Sequence, residues 1–189
     1  MISQSGQGVL FMKLLLHVCC ANYTIYPVQE LRKEGIEVFG FFYNPNIHPY
    51  QEYRRRLEAV KEYSDKIDLR MIYHDEYALE EFLQNVVFRE NERCWYCYYT
   101  RLKRAAQLAK REKFDFFTTT LLYSKFQKHE KVKEIGEGLA REYGVKFYYG
   151  DFRKGWKDGI EISKDLGLYR QQYCGCIYSE KERYLKKNA

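Results

Sequence analysis

KLLLHVCCANYT, residues 13–24, carries an apolar run broken only by His17 straight into two adjacent cysteines. An unalternating apolar run of this length belongs to a strand covered on both faces, the kind that parallel sheets contain. KLLLHV (13–18) therefore reads as a first strand, and a helix beginning near Thr24 and stopping at Gly35 follows it. IEVFGFFY (36–43) is a second strand, closed by the breaker segment Asn44-Pro45-Asn46. The pattern continues with a helix over 50–65, a third strand at 69–73, helices over 77–88 and 91–112, and a fourth strand, FDFFTTT, at 114–120. A helix from about 127 to Gly144 and a fifth strand, VKFYY, at 145–149 complete it. Strands separated by helix-length segments predict right-handed crossovers and an α/β fold, doubly wound around a mainly parallel sheet (Rossmann-like, HUP/PP-loop-like).

That layout gives the unusual segments one address. In open α/β sheets, ligands bind beyond the carboxyl ends of the strands. Cys19-Cys20 follow the first strand, Asn44 to His48 the second, Leu121 to Gln127 the fourth and Gly150 to Trp156 the fifth. From Gly155 onward no long periodic pattern is expected until about Glu180, so this tail is read as a C-terminal cap carrying Cys174-Gly175-Cys176. Residues 1–12 are expected to be a loose tail, and 13–189 a single α/β catalytic domain.

Composition narrows the class. The 189 residues are 46% hydrophobic and 31% charged, as in a globular protein, and no apolar run reaches membrane-spanning length. MISQSGQGVLF (1–11) lacks a secretory signal pattern, so a cytoplasmic, reducing setting without membrane attachment is expected. There 32 Lys and Arg face 26 Asp and Glu, a formal charge of +6 that fits a polyanionic partner. Nineteen tyrosines could serve base stacking, or an ordinary core with hydroxyls at its rim.

All six cysteines fall into tight pairs: Cys19-Cys20, Cys94-x-x-Cys97 and Cys174-x-Cys176. Thiols paired at distant positions predict one site of metal or redox chemistry, assembled by folding. On a helix, positions i and i+3 put Cys94 and Cys97 on one face. Adjacent sulfurs suit a multi-iron cluster better than a single tetrahedral zinc, because neighbouring side chains diverge. Cys19, Cys20, Cys94 and Cys97 match the demand of a [4Fe–4S] cluster, with structural zinc as the other reading. Gly175 lets Cys174 and Cys176 approach in a small ring, which suits a labile dithiol–disulfide couple. The competing reading has them hold an additional mononuclear metal with a carboxylate such as Asp151.

Six stretches carry a family likeness: LLLHVCCA (14–21), FFYNPNIHPYQEYRRR (41–56), ERCWYCYYTRLKRAA (92–106), FTTTLLYSKFQKHE (117–130), FYYGDFRKGW (147–156) and SKDLGLYRQQYCGCIYSE (163–180). Together they resemble the cobalamin-independent epoxyqueuosine reductases. The resemblance implies reductive removal of the epoxide oxygen from epoxyqueuosine at the tRNA wobble position. It implies a [4Fe–4S] cluster on Cys19, Cys20, Cys94 and Cys97, a redox-active pair in Cys174 and Cys176, an external electron donor, and no cobalamin. It leaves room for an additional mononuclear iron. One departure is visible: relatives often continue the first motif as CCAPC, whereas Asn22 and Tyr23 follow Ala21 here.

Asp151, His129 and Tyr123 are candidate proton donors because their segments belong to the common edge. Arg153, Lys154, Trp156 and Lys157, with Lys125, Lys128 and Arg54 to Arg56 as an extension, are candidate RNA contacts. His17 is expected to be a core side chain and His48 to fix a loop. Two rivals share some features. An ATP-dependent iron–sulfur tRNA thiolase needs a glycine-rich pyrophosphate loop, and VCCANYT has no glycine, so no ATP is expected. A zinc-stabilised RNA-binding module would leave the Cys-Gly-Cys pair unexplained.

Overall fold

The computed structural model describes residues 12–185, and the tail expected at 1–12 lies, but for Met12, outside them. Five strands form one all-parallel sheet in the order β3-β2-β1-β4-β5. They are β1 (Lys13–Val18), β2 (Glu37–Phe42), β3 (Met71–Tyr73), β4 (Phe116–Thr119) and β5 (Lys146–Phe147). The helices are α1 (Ala21–Lys33), α2 (Tyr50–Lys66), α3 (Leu79–Val86), α4 (Arg93–Arg111), α5 (His129–Tyr143), α6 (Trp156–Asp165) and α7 (Ile177–Tyr184). This is the doubly wound layout expected. The order reverses at β1, and the crevice between β1 and β4 is where such sheets bind ligands.

Covering on both faces explains the apolar strand. Leu14, Leu15, Leu16 and Val18 are fully buried. α4 packs on β1 and β4 beside α5, while α1 packs with β2, α2 and α6. Alanines 105, 106 and 109 bring α4 close to the sheet, and Ile25, Val28 and Leu31 form the inner face of α1. Each fully buried aliphatic side chain contributes roughly 1.5–3 kcal/mol.

Element ends differ from the sequence expectation for local reasons. α1 starts at Ala21, not near Thr24: Cys20 is its extended N-cap, and the Thr24 hydroxyl donates back to the Cys20 carbonyl at 2.8 Å. β5 is two residues long, although Tyr148 N–H still donates to the Phe117 carbonyl at 2.9 Å. The larger correction is the tail after Gly155, which holds α6 and begins α7 at Ile177. α6 packs through small residues spaced four apart: Gly155 lies against the Tyr26 ring and Gly159 against the Tyr123 hydroxyl, with buried Ser163 next. A β-carbon at either glycine would overlap those tyrosines. A face made of small residues leaves no apolar period to read.

Candidate active site

Backbone geometry at the end of β1 places the first pair. Cys19 and Cys20 are both buried, with sulfurs 3.7 Å apart. One hydroxyl serves Cys19 twice: Thr120 Oγ1 accepts from Cys19 N–H at 3.1 Å and donates to its sulfur at 3.2 Å. The hydrogen bond from the Cys20 thiol draws the Cys19 thiol downward, helped by Thr120 and the charges of Arg101 and Arg56. Burial and the charge of Cys19 push Cys20 up. Gln171 donates to the Cys20 sulfur at 3.0 Å, and Asn22 holds Gln171 at 2.9 Å.

His17 stands beneath this pair as a buried core residue, as expected. Its Nε2 donates to the Tyr43 carbonyl at 3.0 Å, so neutral Nδ1 must accept from Thr119 at 2.9 Å. Burial, then Arg101, lowers its pKa to about 3.

The first turns of α4 supply the second pair. Cys97 is buried and Cys94 half-buried. Arg101, one turn on and only 2% exposed, donates to the Cys97 sulfur and to its carbonyl, both at 2.9 Å. It has no carboxylate partner among the described residues. Burial pushes Cys97 up against the pull of Arg101, and the charges of Cys174, Cys176 and Cys94 add to the rise. The Arg101 guanidinium also acts on Cys19 and Cys174. One thiol of each pair, Cys19, Cys97 and Cys174, therefore feels the same buried cation.

The third pair is held by α2. Arg56 is 2% exposed and donates to Glu52 at 2.7 Å, to the Cys174 carbonyl at 2.8 Å and to the Tyr173 carbonyl at 2.9 Å. Tyr169 donates to the other Glu52 oxygen. His48 N–H donates to the Gly175 carbonyl at 2.8 Å, and its own carbonyl accepts from Tyr173 at 2.6 Å. Gly175 has φ +150°, with the Arg56 guanidinium and Ile47 at 3.3 Å from where a β-carbon would stand. Gln127 donates to the Cys174 sulfur at 3.2 Å. Burial pushes that thiol upward, although the residue itself is exposed.

Not every expected residue joins the thiols. Asp151 accepts from Arg153 N–H at 3.1 Å, Nε at 2.8 Å and Nη2 at 2.6 Å, which hold its carboxyl at about 2. The charge of His129, which bonds Tyr149 at 3.0 Å, also acts on it. Arg153 is thus occupied by Asp151, and Lys154 sits 3.5 Å from Glu30. The surface track expected at Arg54 to Arg56 is corrected: Arg54 pairs with Glu58 and Asp75, and Arg56 is buried. Trp156 meets Tyr123, Tyr23 and Phe126, with Lys125 over its ring at 5.9 Å. These aromatics, with Asn22 and Gln171, line a cavity of about 150 Å³. Tyr23 feels the charges of Cys20 and Cys19, so this cavity abuts the thiols. Tyr123 is buried, donates to the Trp156 carbonyl at 3.1 Å and is raised to about 12 by burial. Lys157 has no ion pair among the described residues.

The residues that sequence reading missed are Arg101, Thr120, Gln127 and Gln171, and Arg56 was expected only as a surface RNA contact. Arg101 had a signal, lying four residues after Cys97 on one helix face. The others depend on contacts between distant segments.

Six free thiols with soft sulfur donors at one mouth, beside two buried cations, suit a thiolate-bound metal cluster in donor type and charge. Among the described residues no three His, Cys, Asp or Glu side chains are already drawn into metal-binding geometry.

Known proteins are similar to this chain. The model of the family described as epoxyqueuosine reductase QueH matches residues 14–182. The epoxyqueuosine reductase QueH of Dehalococcoides mccartyi is 42% identical over 177 residues, 94% of this chain and 97% of that protein. That of Thermotoga maritima is 37% identical over 180 residues, 90% of this chain and 91% of that protein. In fold alone, a predicted tRNA methyltransferase subunit from Methanocaldococcus jannaschii superposes with a TM-score of 0.56 at 10% identity, covering 82% of this chain and 75% of that one. A match over nearly the whole chain, with all three cysteine pairs inside it, leads to one conclusion: this chain belongs to the epoxyqueuosine reductase QueH family.

Proposed function

We propose that this protein is a tRNA epoxyqueuosine reductase, acting on the wobble nucleotide of an anticodon loop. The observation that carries the reading is the buried Arg101, whose charge acts on one thiol of each pair, Cys19, Cys97 and Cys174, in a chain of this family. Removing the epoxide oxygen breaks two C–O bonds, leaves a carbon–carbon double bond, and takes up two electrons and two protons as water is released. Cys174 and Cys176 can supply that pair, losing two electrons and two protons as they close to a disulfide. A donor from outside the chain then restores the thiols.

Cys19, Cys20, Cys94 and Cys97 would hold a [4Fe–4S] cluster, which would relay single electrons at low potential. The chain's own residues prepare that place. Thr120 and Gln171 orient the Cys19 and Cys20 sulfurs, and Arg101 offsets negative charge at Cys97. Arg56 fixes the backbone that presents Cys174, while Gln127 holds its sulfur. Tyr123 and Tyr23 face the cavity beside Cys20 and are the hydroxyls best placed to pass a proton there, ahead of Asp151, whose carboxylate is engaged by Arg153. Lys125, Lys157 and Trp156 would meet the RNA, with Arg153 and Lys154 contributing less because their charges are paired. Action in the cytoplasm follows from a tRNA substrate; no helix among the described residues is long and apolar enough to cross a membrane.

Anaerobic incubation with epoxyqueuosine-containing tRNA and a chemical reductant, followed by nucleoside mass analysis, tests the reading. Queuosine should appear with the wild-type protein. Its absence overturns the assignment, and full turnover by Cys174→Ser removes the dithiol from the scheme.

A further inference from the structure

A second aromatic surface lies on the other side of the thiols, and neither the reaction nor the Trp156 cluster uses it. Trp95, Tyr99 and Lys103 succeed one another every four residues along α4. The Trp95 and Tyr99 rings are stacked, 4.9 Å between centroids and 9° between planes, and Lys103 Nζ lies 5.4 Å from the Tyr99 centroid. A large, flat side chain with one face covered and the rest in water buries little for its size, yet Trp95 remains 44% exposed. It forms the ridge between two grooves, of about 560 Å³ and 390 Å³. Tyr43, Tyr96 and Arg104 line the first; Val86 and Arg89 line the second. Phe88, between those last two in sequence, is 94% exposed.

The position follows from the fold. Tyr43 comes directly after β2 and His74 directly after β3, so the larger groove opens at the carboxyl ends of the strands, as the thiols do. Trp95 is the residue after half-buried Cys94, on the helical turn that turns Cys97 inward. Trp156 follows β5 in the chain and packs against Tyr23 of α1, while Trp95 shares its groove with Tyr43 and His74, after β2 and β3. The thiol mouth therefore lies between two aromatic platforms.

Charge chooses the occupant. Around the two grooves His74 is taken by Glu76, Arg93 by Glu182 and Glu92 by Lys131. Lys103, Arg104 and Arg89 have no ion-pair partner among the described residues, although the carboxylates of Glu76 and Glu81 line the larger groove beside them. A flat π-face edged by unpaired cations suits a nucleobase with its phosphates, whereas an acidic or aliphatic protein surface would leave the stacked rings without a planar partner.

We propose that the Trp95 ridge stacks an unpaired anticodon-loop nucleobase next to the reacting nucleotide, with Lys103 and Arg104 on the adjoining phosphates. This rests on the tRNA reading above and extends it to the flanking nucleotides. With one platform on each side of the thiols, the loop is held open while its wobble base enters between them.

The test uses anaerobically purified protein and a fluorescently labelled synthetic RNA hairpin with the sequence of a tRNA anticodon arm, unmodified. A blunt RNA duplex of equal length is the comparison. Trp95→Ala should weaken hairpin binding roughly ten-fold or more, as loss of one stacking partner does, and leave duplex binding unchanged. Trp95→Phe should restore most of the affinity, which a folding defect would not allow. Arg104→Ala should weaken binding and flatten its salt dependence. Unchanged hairpin affinity in Trp95→Ala overturns the proposal. So does slower reduction by a protein electron carrier with RNA affinity intact, which would assign the ridge to that carrier. Failure of the wild type to produce queuosine, with the Trp95 effect present, would sink the reductase reading and leave the RNA surface standing.

Discussion

Replacing Arg56 with methionine takes away a buried cation that three acceptors share: Glu52 and the carbonyls of Tyr173 and Cys174. Glu52, 6% exposed, keeps only the Tyr169 hydroxyl and becomes an uncompensated buried charge. Breaking a buried ion pair from one side costs about 3–5 kcal/mol. At roughly 2–4 °C per kcal/mol for a chain of this size, the melting temperature should fall by about 6–20 °C. The loss has a local signature as well. Freed from Arg56, the Cys174 backbone should open, and iodoacetamide should label Cys174 faster in the reduced protein while Cys97 keeps its wild-type rate. Adding Glu52→Met removes the stranded charge, so the double variant should regain most of the stability while Cys174 still labels faster than in the wild type. A melting temperature within about 2 °C of wild type in the single variant would refute the reasoning, since the buried pair would then carry no such energy.

Two further outcomes follow from the same geometry. A β-carbon at Gly159 must displace the Tyr123 hydroxyl, so Gly159→Ala should cost about 1–3 kcal/mol in urea unfolding and alter Tyr123 fluorescence; neutrality would mean that α6 is not pinned there. Among the described residues His48 has no hydrogen-bond partner on either ring nitrogen, and burial between Tyr77 and Phe82 lowers its pKa from 6.5 to about 4. The unfolded chain then binds a proton that the folded one refuses. Stability should fall as pH drops from about 6.5 to about 4, by up to roughly 3 kcal/mol, relative to a His48→Phe variant. Parallel pH profiles for the two proteins would refute this.

The sheet could be read from the sequence because its strands are continuous apolar runs, and the thiol edge because cysteines directly follow β1. What escaped reading was encoded otherwise. α6 packs through Gly155, Gly159 and Ser163, which carry no hydrophobic period. Arg56 resembles its half-buried neighbour Arg54 in sequence, and only the fold shows that one is buried against Cys174 and the other pairs with Glu58 and Asp75 at the surface. The charges of Arg153 and Lys154 could not be weighed for a related reason: Asp151 two residues away and Glu30 on α1 pair with them. Hydrophobic patterning identifies layers; it does not report which charge meets which.

The bond from Gln171 to the Cys20 sulfur spans 151 positions of the chain. During synthesis, then, the earliest thiols emerge long before the segment that carries Gln171, and for that interval Cys20 lacks its amide. Newborn chains should be most vulnerable to oxidants while still attached to the ribosome, and oxygen should lower the yield of active protein more during translation than after it.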